Sequence, residues 1–279
     1  MKLTRPSEVR EVLQRMDFHP SRTLGQNFLV DENILRLLVE AAAIRAEDIV
    51  LEVGSGLGVL TSALLERAGR VIAIEKDDRL AGFLRKTIGD AATLDLRHGD
   101  IMSMDLEALL SEGVTRVAAN LPYGIASRLL VDLMASERRP ARIVVTVQKE
   151  VADRMAAAPG GKTYGVLSLF SQLDYDVKRT RIISPSCYWP RPKVDSAIVE
   201  LSTRTVPEVA LRDPAVFRRL VKHAFSLRRK QMGTVLQRAP ARWGCGKDVL
   251  DAVEIDPRRR PETVSLSEWC RLANELNPI

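Results

Sequence analysis

The first two thirds of the chain alternate short apolar segments, rich in β-branched residues, with longer amphipathic ones. Ile49–Val53 and Arg70–Glu75 have the composition of buried strands, and segments 59–68 and Asp78–Ile88 after them have helical periodicity. Such alternation predicts right-handed βαβ units, in which each helix crosses back over the sheet between two parallel strands. The pattern therefore indicates a doubly wound α/β domain with helices on both faces of its sheet.

Further strand-like segments continue this pattern as far as residue 202. They lie at 93–100, 115–120, 142–149, 176–184 and 194–202. The last two flank a proline-rich turn and predict a closing antiparallel pair. Helical patterns occupy residues 31–43, follow Asn120 and begin again at Glu150. We therefore expect a mostly parallel sheet of seven strands.

Beyond residue 207 only helical patterns remain, in segments 214–238, 246–255 and 265–276. Val206-Pro207 and Asp213-Pro214 mark a boundary, because the residue before a proline is biased away from helix. We expect residues 1–206 to form one domain, with a helical segment of residues 1–45 packed on it. Residues 207–279 then form a small helical domain.

The amino-acid composition and the lengths of the apolar runs indicate an ordinary globular protein. The sequence is 46% hydrophobic and 28% charged, as in ordinary globular proteins. No apolar run reaches the roughly 18 residues of a membrane span. The amino terminus lacks the apolar core of a signal peptide, and its acids, Glu8, Glu11 and Asp17, argue against a transit peptide. We therefore expect a cytoplasmic protein with no membrane segment.

The spacing of the cysteines and histidines and the net charge indicate which ligands and partners to expect. Cys187, Cys245 and Cys270 are far apart and form no C-x-x-C pair, and the three histidines do not cluster. This predicts neither a disulfide framework nor a metal site. The net charge of +6 points to a polyanionic partner only if the cations are concentrated on one surface.

A glycine-rich turn follows the first of these parallel strands. Gly54, Gly56 and Gly58 have the spacing G-x-G-x-G, which differs from the dinucleotide fingerprint G-x-G-x-x-G and by itself is as often a plain turn. Glu75 strengthens the binding interpretation. It ends the next strand, 21 residues beyond Gly54, where an acid can accept hydrogen bonds from both hydroxyls of a ribose.

Asp100 ends the third strand of the series and has two interpretations of equal weight. It can contact the edge of an adenine ring, or it can cap the segment that follows. Glycines and acids that follow successive strands form a row of contacts along one nucleoside. This set suits S-adenosylmethionine better than NAD, because nothing in it holds a pyrophosphate.

Asn120, Leu121, Pro122 and Tyr123 follow the fourth strand. Asn-x-Pro after a strand is ordinary turn chemistry, and Tyr123 can be a core residue. The chemical interpretation is favoured. Methylating an exocyclic amine requires two acceptors that localise its lone pair, and the Asn120 carbonyl with a main-chain carbonyl before Tyr123 can supply them. The Tyr123 ring then offers a face on which an extruded base can stack.

With these features the chain resembles the ribosomal RNA adenine dimethylase family from about residue 22 to its end. The resemblance rests on Gly54-Ser55-Gly56, on the Asn-Leu-Pro-Tyr element and on segments 24–29, 147–152, 164–168, 190–196, 224–230 and 255–257. It implies a Rossmann-like class I methyltransferase core that uses S-adenosylmethionine and releases S-adenosylhomocysteine, with no metal.

The resemblance also implies the site residues. The expected cofactor-binding residues are Gln26, Asn27, Leu29, Gly54, Gly56, Glu75, Lys76, Asp100, Ile101 and Asn120. The expected catalytic residues are Asn120, Leu121, Pro122, Tyr123 and Tyr188. Tyr188 stands opposite Tyr123 at a position where the family usually has phenylalanine.

Cations are concentrated between Arg212 and Arg242, where nine Lys or Arg residues face a single acid, Asp213. Most charge runs are solvated helix faces, but such faces usually carry balancing acids. We therefore expect contacts with the RNA backbone. The residues expected to make them are Arg218, Arg219, Lys222, Arg228, Arg229 and Lys230. Whether residues 258–260, all arginine, extend this surface stays open.

The resemblance implies a monomeric enzyme that dimethylates the N6 amines of two adjacent adenosines in a 3'-terminal hairpin of small-subunit ribosomal RNA, in the immature subunit. Two alternatives have the same fold. One is a large-subunit rRNA adenine methylase, which the run at 192–196 and the basic tail disfavour. The other is a non-catalytic nucleic-acid-binding factor in ribosome assembly or transcription, against which the intact acids and the Asn-Leu-Pro-Tyr element argue.

Overall fold

Strands rich in β-branched residues form the core of the α/β part of the chain. The computed structural model describes residues 3–21, 25–205, 209–244 and 248–276, without the side chain of Arg242. In this part of the chain the strands are β1 (Phe28–Leu29), β2 (Ile49–Val53), β3 (Arg70–Glu75), β4 (Leu94–His98), β5 (Arg116–Asn120), β6 (Arg142–Gln148), β7 (Tyr175–Ile183), β8 (Tyr188–Trp189) and β9 (Ser196–Thr203).

Helices alternate with the strands and then continue alone. They are α1 (Pro6–Arg15), α2 (Glu32–Ala42), α3 (Val59–Leu65), α4 (Asp78–Ile88), α5 (Leu106–Leu110), α6 (Tyr123–Ala135), α7 (Lys149–Met155), α8 (Val166–Asp174), α9 (Pro214–Ser226), α10 (Met232–Gln237), α11 (Asp248–Ala252) and α12 (Leu266–Glu275). Four of the described helices, α2, α4, α5 and α9, begin after an aspartate whose side chain caps the first turn. Asp31 caps α2 by accepting from the amide of Ile34, and Asp77 caps α4 by accepting from the amides of Arg79 and Leu80.

The described strands β2 to β7 and β9 form a seven-stranded sheet in the order β4-β3-β2-β5-β6-β9-β7. Strands β2 to β6 pair in parallel, and β9 runs antiparallel to β6, with Val145 opposite Val199. The predicted mostly parallel seven-stranded α/β core is therefore confirmed. Because β2 to β6 are parallel, their carboxyl ends and the loops after them share one edge of the sheet.

A second, two-stranded sheet was not predicted from the sequence. Strand β1 pairs antiparallel with β8, so that Phe28 lies opposite Trp189 and Leu29 opposite Tyr188. Each strand has only two residues, which is too short for periodicity to be visible. The pairing brings the segment before α2 next to the proline-rich segment before β9.

The helical pattern expected over residues 214–238 is interrupted. Helix α9 ends at Ser226 and α10 begins at Met232. The amides of Met232 and Gly233 donate to the carbonyls of Arg259 and Pro257 rather than to the preceding turn of helix. These long-range bonds redirect the chain, so the predicted helical segment forms two helices.

By density of contacts the chain divides into two compact units. One comprises Met1–Ala152 and Val177–Thr203, and the other Asp153–Asp176 and Arg204–Ile279. In the second unit the hydroxyl of Tyr164 donates to the carbonyl of Val264, and the Tyr164 and Phe225 rings meet edge to face. The boundary expected at residues 206 and 207 lies outside the described residues, as do Leu24 of the amino-terminal motif and Cys245.

Candidate active site

The loop between β2 and α3 has a backbone that only glycine adopts readily. Gly54, Gly56 and Gly58 have φ of +79°, +58° and +79°. A Cβ on Gly54 would lie 3.1 Å from the side chain of Pro122, and one on Gly56 would lie 3.3 Å from the Phe28 ring. The glycines therefore let the loop approach two neighbouring segments closely while it turns into α3.

Glu75 ties this loop to the end of β3. Its Oε2 accepts from the amide of Gly56 and its Oε1 from the amide of Asp77, both at 2.8 Å. The side chain is buried, and burial raises the pKa of its carboxyl above the usual range although these two bonds act in the opposite direction. Each oxygen keeps a second lone pair with which it can accept from a ligand hydroxyl.

Asp100 begins a short 3-10 turn, Ile101–Ser103, after β4. Its Oδ1 accepts from the amide of Met102 at 2.9 Å, and its Oδ2 lies 2.8 Å from the Nζ of Lys76. The Lys76 ammonium holds the pKa of Asp100 below its usual range. The capping interpretation is thus seen directly, and the carboxylate also borders the cavity described below.

The amide of Asn120 is held at both ends. Its Nδ2 donates to the carbonyl of Asn27 at 3.0 Å, and its Oδ1 accepts from the hydroxyl of Thr146. The carbonyl of Pro122 accepts from the amide of Ile125 at 3.2 Å, in the first turn of α6. This segment therefore leaves β5 with its carboxamide in one defined orientation.

Two tyrosines stand beside this amide. The hydroxyl of Tyr123 lies 2.6 Å from the Oγ of Ser196, and burial raises the Tyr123 pKa above its usual range. Tyr188, on β8, is 2% exposed, and its hydroxyl has no hydrogen-bond partner among the described residues. Burial raises its pKa as well. The neighbouring Trp189 packs partly buried with Val9, Phe28 and other apolar residues.

These groups surround one cavity of about 320 Å³ in the first unit, within the usual range of small-molecule sites. Every residue expected to bind the cofactor or to act in catalysis lines it. They are Gln26, Asn27, Leu29, Gly54, Gly56, Glu75, Lys76, Asp100, Ile101, Asn120, Leu121, Pro122, Tyr123 and Tyr188. Their individual roles stay predictions, but residues from six separate stretches of the chain line one cavity.

Glu52 is a site residue that the sequence interpretation missed. It lines the cavity from β2, is 1% exposed, and burial raises its pKa to about 7. A single acid inside the otherwise apolar run Ile49–Val53 was the signal that could have identified it. Val9 of α1 and Phe28 also line the cavity, but apolar residues in apolar patterns give no such signal.

The six cations expected to contact RNA lie in the second unit and do not line this cavity. Arg218 and Arg219 are half-buried on α9, and Lys222 is exposed, with its Nζ 5.9 Å from the centre of the Phe170 ring. Arg229 and Lys230 are exposed in the turn after α9. Arg228 instead donates to the carbonyl of Lys162 at 2.7 Å, so its guanidinium is engaged within its own unit.

Two of the three arginines at residues 258–260 form ion pairs within the helical unit. Arg258 pairs with Asp256 at 3.0 Å, and Arg259 pairs with Glu268 on α12. The Arg258 side chain is still 81% exposed, so whether these residues extend the basic surface stays open. Among the described residues, no helix is long and apolar enough to cross a membrane, and no three His, Cys, Asp or Glu side chains are grouped as metal ligands.

Comparison with known proteins gives a consistent result. A model of the ribosomal RNA adenine dimethylase family matches residues 18–277. The chain is 43% identical to the ribosomal RNA small subunit methyltransferase A of Geobacter metallireducens, over 91% of this chain and 94% of that protein.

Two solved structures extend the comparison. A dimethyladenosine transferase from Plasmodium falciparum matches with a TM-score of 0.75 and 26% identity, over 87% of this chain and 94% of that one. The 23S rRNA methyltransferase ErmE matches with a TM-score of 0.68 and 23% identity, over 90% and 99% of the two chains, and this likeness is one of fold.

Proposed function

Because this chain belongs to the ribosomal RNA adenine dimethylase family, we propose that it methylates the N6 amines of two adjacent adenosines in a 3'-terminal hairpin of small-subunit rRNA. Each amine receives two methyl groups, since one N–H remains after the first transfer. The observation that carries the proposal is the cavity. Asn120–Tyr123 line it together with Glu75 and Asp100, in a chain whose relative in Geobacter metallireducens is named a ribosomal RNA small subunit methyltransferase.

The chemistry of the cavity fits S-adenosylmethionine as the methyl donor. Gly54 and Gly56 leave space where a Cβ would crowd the neighbouring segments. Glu75 presents a buried carboxylate for ribose hydroxyls, and Asp100 presents a partly exposed carboxylate for an adenine amine. When bound, the cofactor supplies a methyl group already activated by its sulfonium. Asn27, Leu29, Lys76 and Ile101 complete the lining on this side.

The residues after β5 prepare the target amine for attack. The Oδ1 of Asn120 keeps one lone pair beside the one used by Thr146, and a main-chain carbonyl of Leu121 or Pro122 supplies a second acceptor. Two acceptors on the amine hydrogens draw its lone pair out of the purine ring and towards the methyl group. Tyr123 and Tyr188 offer aromatic faces to the extruded base.

Contacts with the RNA backbone are assigned to the second unit. Lys222 on α9 is exposed, and so are Arg229 and Lys230 in the turn after it. Arg218 and Arg219 are half-buried on α9. Such cations contribute to the affinity for RNA and not to sequence preference, because the phosphates of the RNA backbone are all alike. Arg228 contributes mainly by holding the turn after α9 to the loop at Lys162.

The decisive experiment measures tritium transfer from labelled cofactor to undermethylated small ribosomal subunits and, in parallel, to large subunits. We expect transfer to small subunits alone, with N6,N6-dimethyladenosine as the product after nuclease digestion and mass spectrometry. Transfer to large subunits would support the large-subunit alternative. Tight RNA binding with no transfer to either would support a non-catalytic factor.

The remaining expectations concern the state of the protein in the cell. We infer a metal-free monomer that acts in the cytoplasm on the immature small subunit. Light scattering of the purified protein tests the monomer. Full activity after dialysis against a chelator tests the independence from metal, and a loss of activity that zinc or magnesium restores would contradict it.

A further inference from the structure

Three buried hydroxyl groups lie next to the candidate active site, and the chemistry described above uses none of them. Thr146 and Ser196 have no exposed surface, and Tyr188 is 2% exposed. Tyr188 lines the cavity, whereas Thr146 and Ser196 are absent from the described residues that line it. Buried hydroxyls carry a desolvation cost unless they are bonded, so their partners show what they do.

Strand register places two of these hydroxyls on the same face as Asn120. Thr146 of β6 lies opposite Asn120 of β5, and Gln148 of β6 lies opposite Ser196 of β9. Alternate residues of a strand point to the same face of a sheet, so Thr146 and Gln148 share a face, and so do their partners. Asn120, Thr146 and Ser196 therefore project together at the carboxyl end of β6.

Thr146 anchors the carbonyl oxygen of the Asn120 carboxamide. Its hydroxyl donates to Oδ1, while the opposite end of the amide, Nδ2, donates to the carbonyl of Asn27. The Asn27 carbonyl selects this orientation, because a flipped amide would set its oxygen against that carbonyl oxygen, whereas the Thr146 hydroxyl can accept as well as donate. The two partners together hold the carboxamide at both ends, and the Thr146 hydroxyl restrains the position of its oxygen.

Ser196 holds the second group. The Tyr123 hydroxyl lies 2.6 Å from its Oγ, so the far end of the Tyr123 ring is anchored in the sheet rather than free to swing. The Tyr188 hydroxyl is near enough to Ser196 and Thr146 for both to affect its pKa. Thr146 and Ser196 therefore anchor the amide of Asn120 and the ring of Tyr123 separately, and the Tyr188 hydroxyl lies near both without a hydrogen bond among the described residues.

We propose that Thr146 and Ser196 are positioning residues, which hold the Asn120 carboxamide and the Tyr123 ring from outside the cavity in the orientation that receives an adenine. The proposal rests on the proposed function. Thr146 acts on the methyl-transfer step, because the Asn120 oxygen must meet the amine in the transition state. Ser196 acts on base binding, because Tyr123 supplies a stacking face.

The test of Thr146 is the substitution Thr146→Val, which keeps the shape and β-branching and removes the hydroxyl. We expect the single-turnover rate at saturating RNA and cofactor to fall about tenfold, the usual effect of one lost hydrogen bond. Cofactor affinity should change less than about twofold, since the Asn27 bond and the glycine loop remain. The second transfer needs the same alignment, so N6-monomethyladenosine should accumulate.

Thr146→Ser restores the hydroxyl without the methyl group and should recover the wild-type rate and product ratio. Ser196→Ala should instead raise the RNA concentration for half-maximal rate about three- to tenfold while the rate at saturation stays close to wild type. The matched control is Thr115→Val. Thr115 donates to Asp48 at 2.7 Å, just before the opposite end of β5, and this variant should keep wild-type kinetics.

A folded Thr146→Val variant with the wild-type rate would overturn the proposal, as would a Thr146→Ser variant that stays slow. If valine prevents folding, Thr146→Ala is measured in its place, with the same expectation. Failure of the proposed function is distinct, because the wild-type protein itself would then transfer no methyl group to adenine.

Discussion

At the scale of single residues, the lone pairs that remain unused on each polar atom determine what the site can bind. Glu75 and Asn120 are hydrogen-bonded within the protein, and their oxygens keep further lone pairs that can accept from a ligand. Such groups are preorganised, because a ligand does not need to break protein contacts to reach them. Substitutions here should therefore act on binding or chemistry rather than on folding.

Asn120→Ala tests the acceptor at the target amine. We expect the single-turnover rate at saturating cofactor to fall roughly 10²- to 10³-fold, the usual effect of removing one preorganised polar contact. Asn274→Ala is the control, because that amide bonds Arg212 and Ala210 in the second unit. A wild-type rate for Asn120→Ala would show that the segment after β5 is only a turn.

The raised pKa of Glu52 predicts that the stability of the folded protein depends on pH. Burial raises its pKa to about 7 in the folded state, well above the value in the unfolded chain. The folded protein therefore holds this proton more tightly, so its contribution to stability is present at low pH and is lost as the pH rises from about 4.5 through 7. Glu52→Gln should be more stable than wild type above pH 7, by on the order of 2–3 kcal/mol.

The measurement is urea unfolding of both proteins at about pH 5 and pH 8 without ligand. Only the difference between the two proteins is interpreted, because other groups titrate in the same range in both. The expected difference is small at the lower pH and large at the higher. A difference that is the same at both would place the Glu52 carboxylate in contact with water.

At the scale of elements, packing explains only one side of α9. Val216, Phe217, Leu220, Val221 and Ala224 are buried, which accounts for the apolar side of the helix but not for the cations on the rest of it. Lys222 lies over the Phe170 ring, so part of its stem is used in packing. Arg218 and Arg219 are half-buried on the same helix, and their contact with RNA stays a prediction.

Neutralising three of them tests this surface. In the triple variant of Arg218, Arg219 and Lys222 to glutamine, each lost phosphate contact should reduce the slope of log affinity against log salt by roughly 0.7–0.9. Cofactor affinity should not change. The control variant replaces three exposed cations of the first unit, Arg67, Arg85 and Lys86, for the same change in net charge. Equal slopes in the two folded variants would make α9 an ordinary solvated helix.

At the scale of the whole molecule, ligand binding and folding are coupled. A cofactor that binds only the folded state at a hundred times its Kd stabilises the protein by about 2.7 kcal/mol. For a chain of this size that corresponds to an increase of about 5–10 °C in melting temperature. Glu75→Gln, which disturbs both the loop at Gly56 and the expected ribose contact, should lose most of this shift.

Thermal melts with and without S-adenosylmethionine measure the effect, and S-adenosylhomocysteine should give a shift of similar size. The control is Glu137→Gln, the same change at an exposed acid of the first unit that does not line the cavity. An undiminished shift in Glu75→Gln would remove Glu75 from the cofactor site.

Local and periodic features were determined by the sequence itself. Runs such as Ile49–Val53 and Arg142–Gln148 are buried strands because β-branched side chains fit a sheet covered on both faces. Gly54 and Gly56 adopt positive φ because glycine alone does so without strain, and Pro122 begins α6 because its φ is fixed. These properties belong to short stretches of chain, so they can be predicted before any contact is known.

Other features depend on residues far apart in the sequence, and only the tertiary structure decided them. In the sequence, Thr146 is one more β-branched residue of a predicted strand. Only the register of β5 and β6 shows that its hydroxyl bonds Asn120. Arg228 resembled its basic neighbours until the loop at Lys162 was seen to accept its hydrogen bonds. Burial and bonding partners are set by packing between distant segments, so a buried hydroxyl or an engaged cation has no signature in the sequence around it.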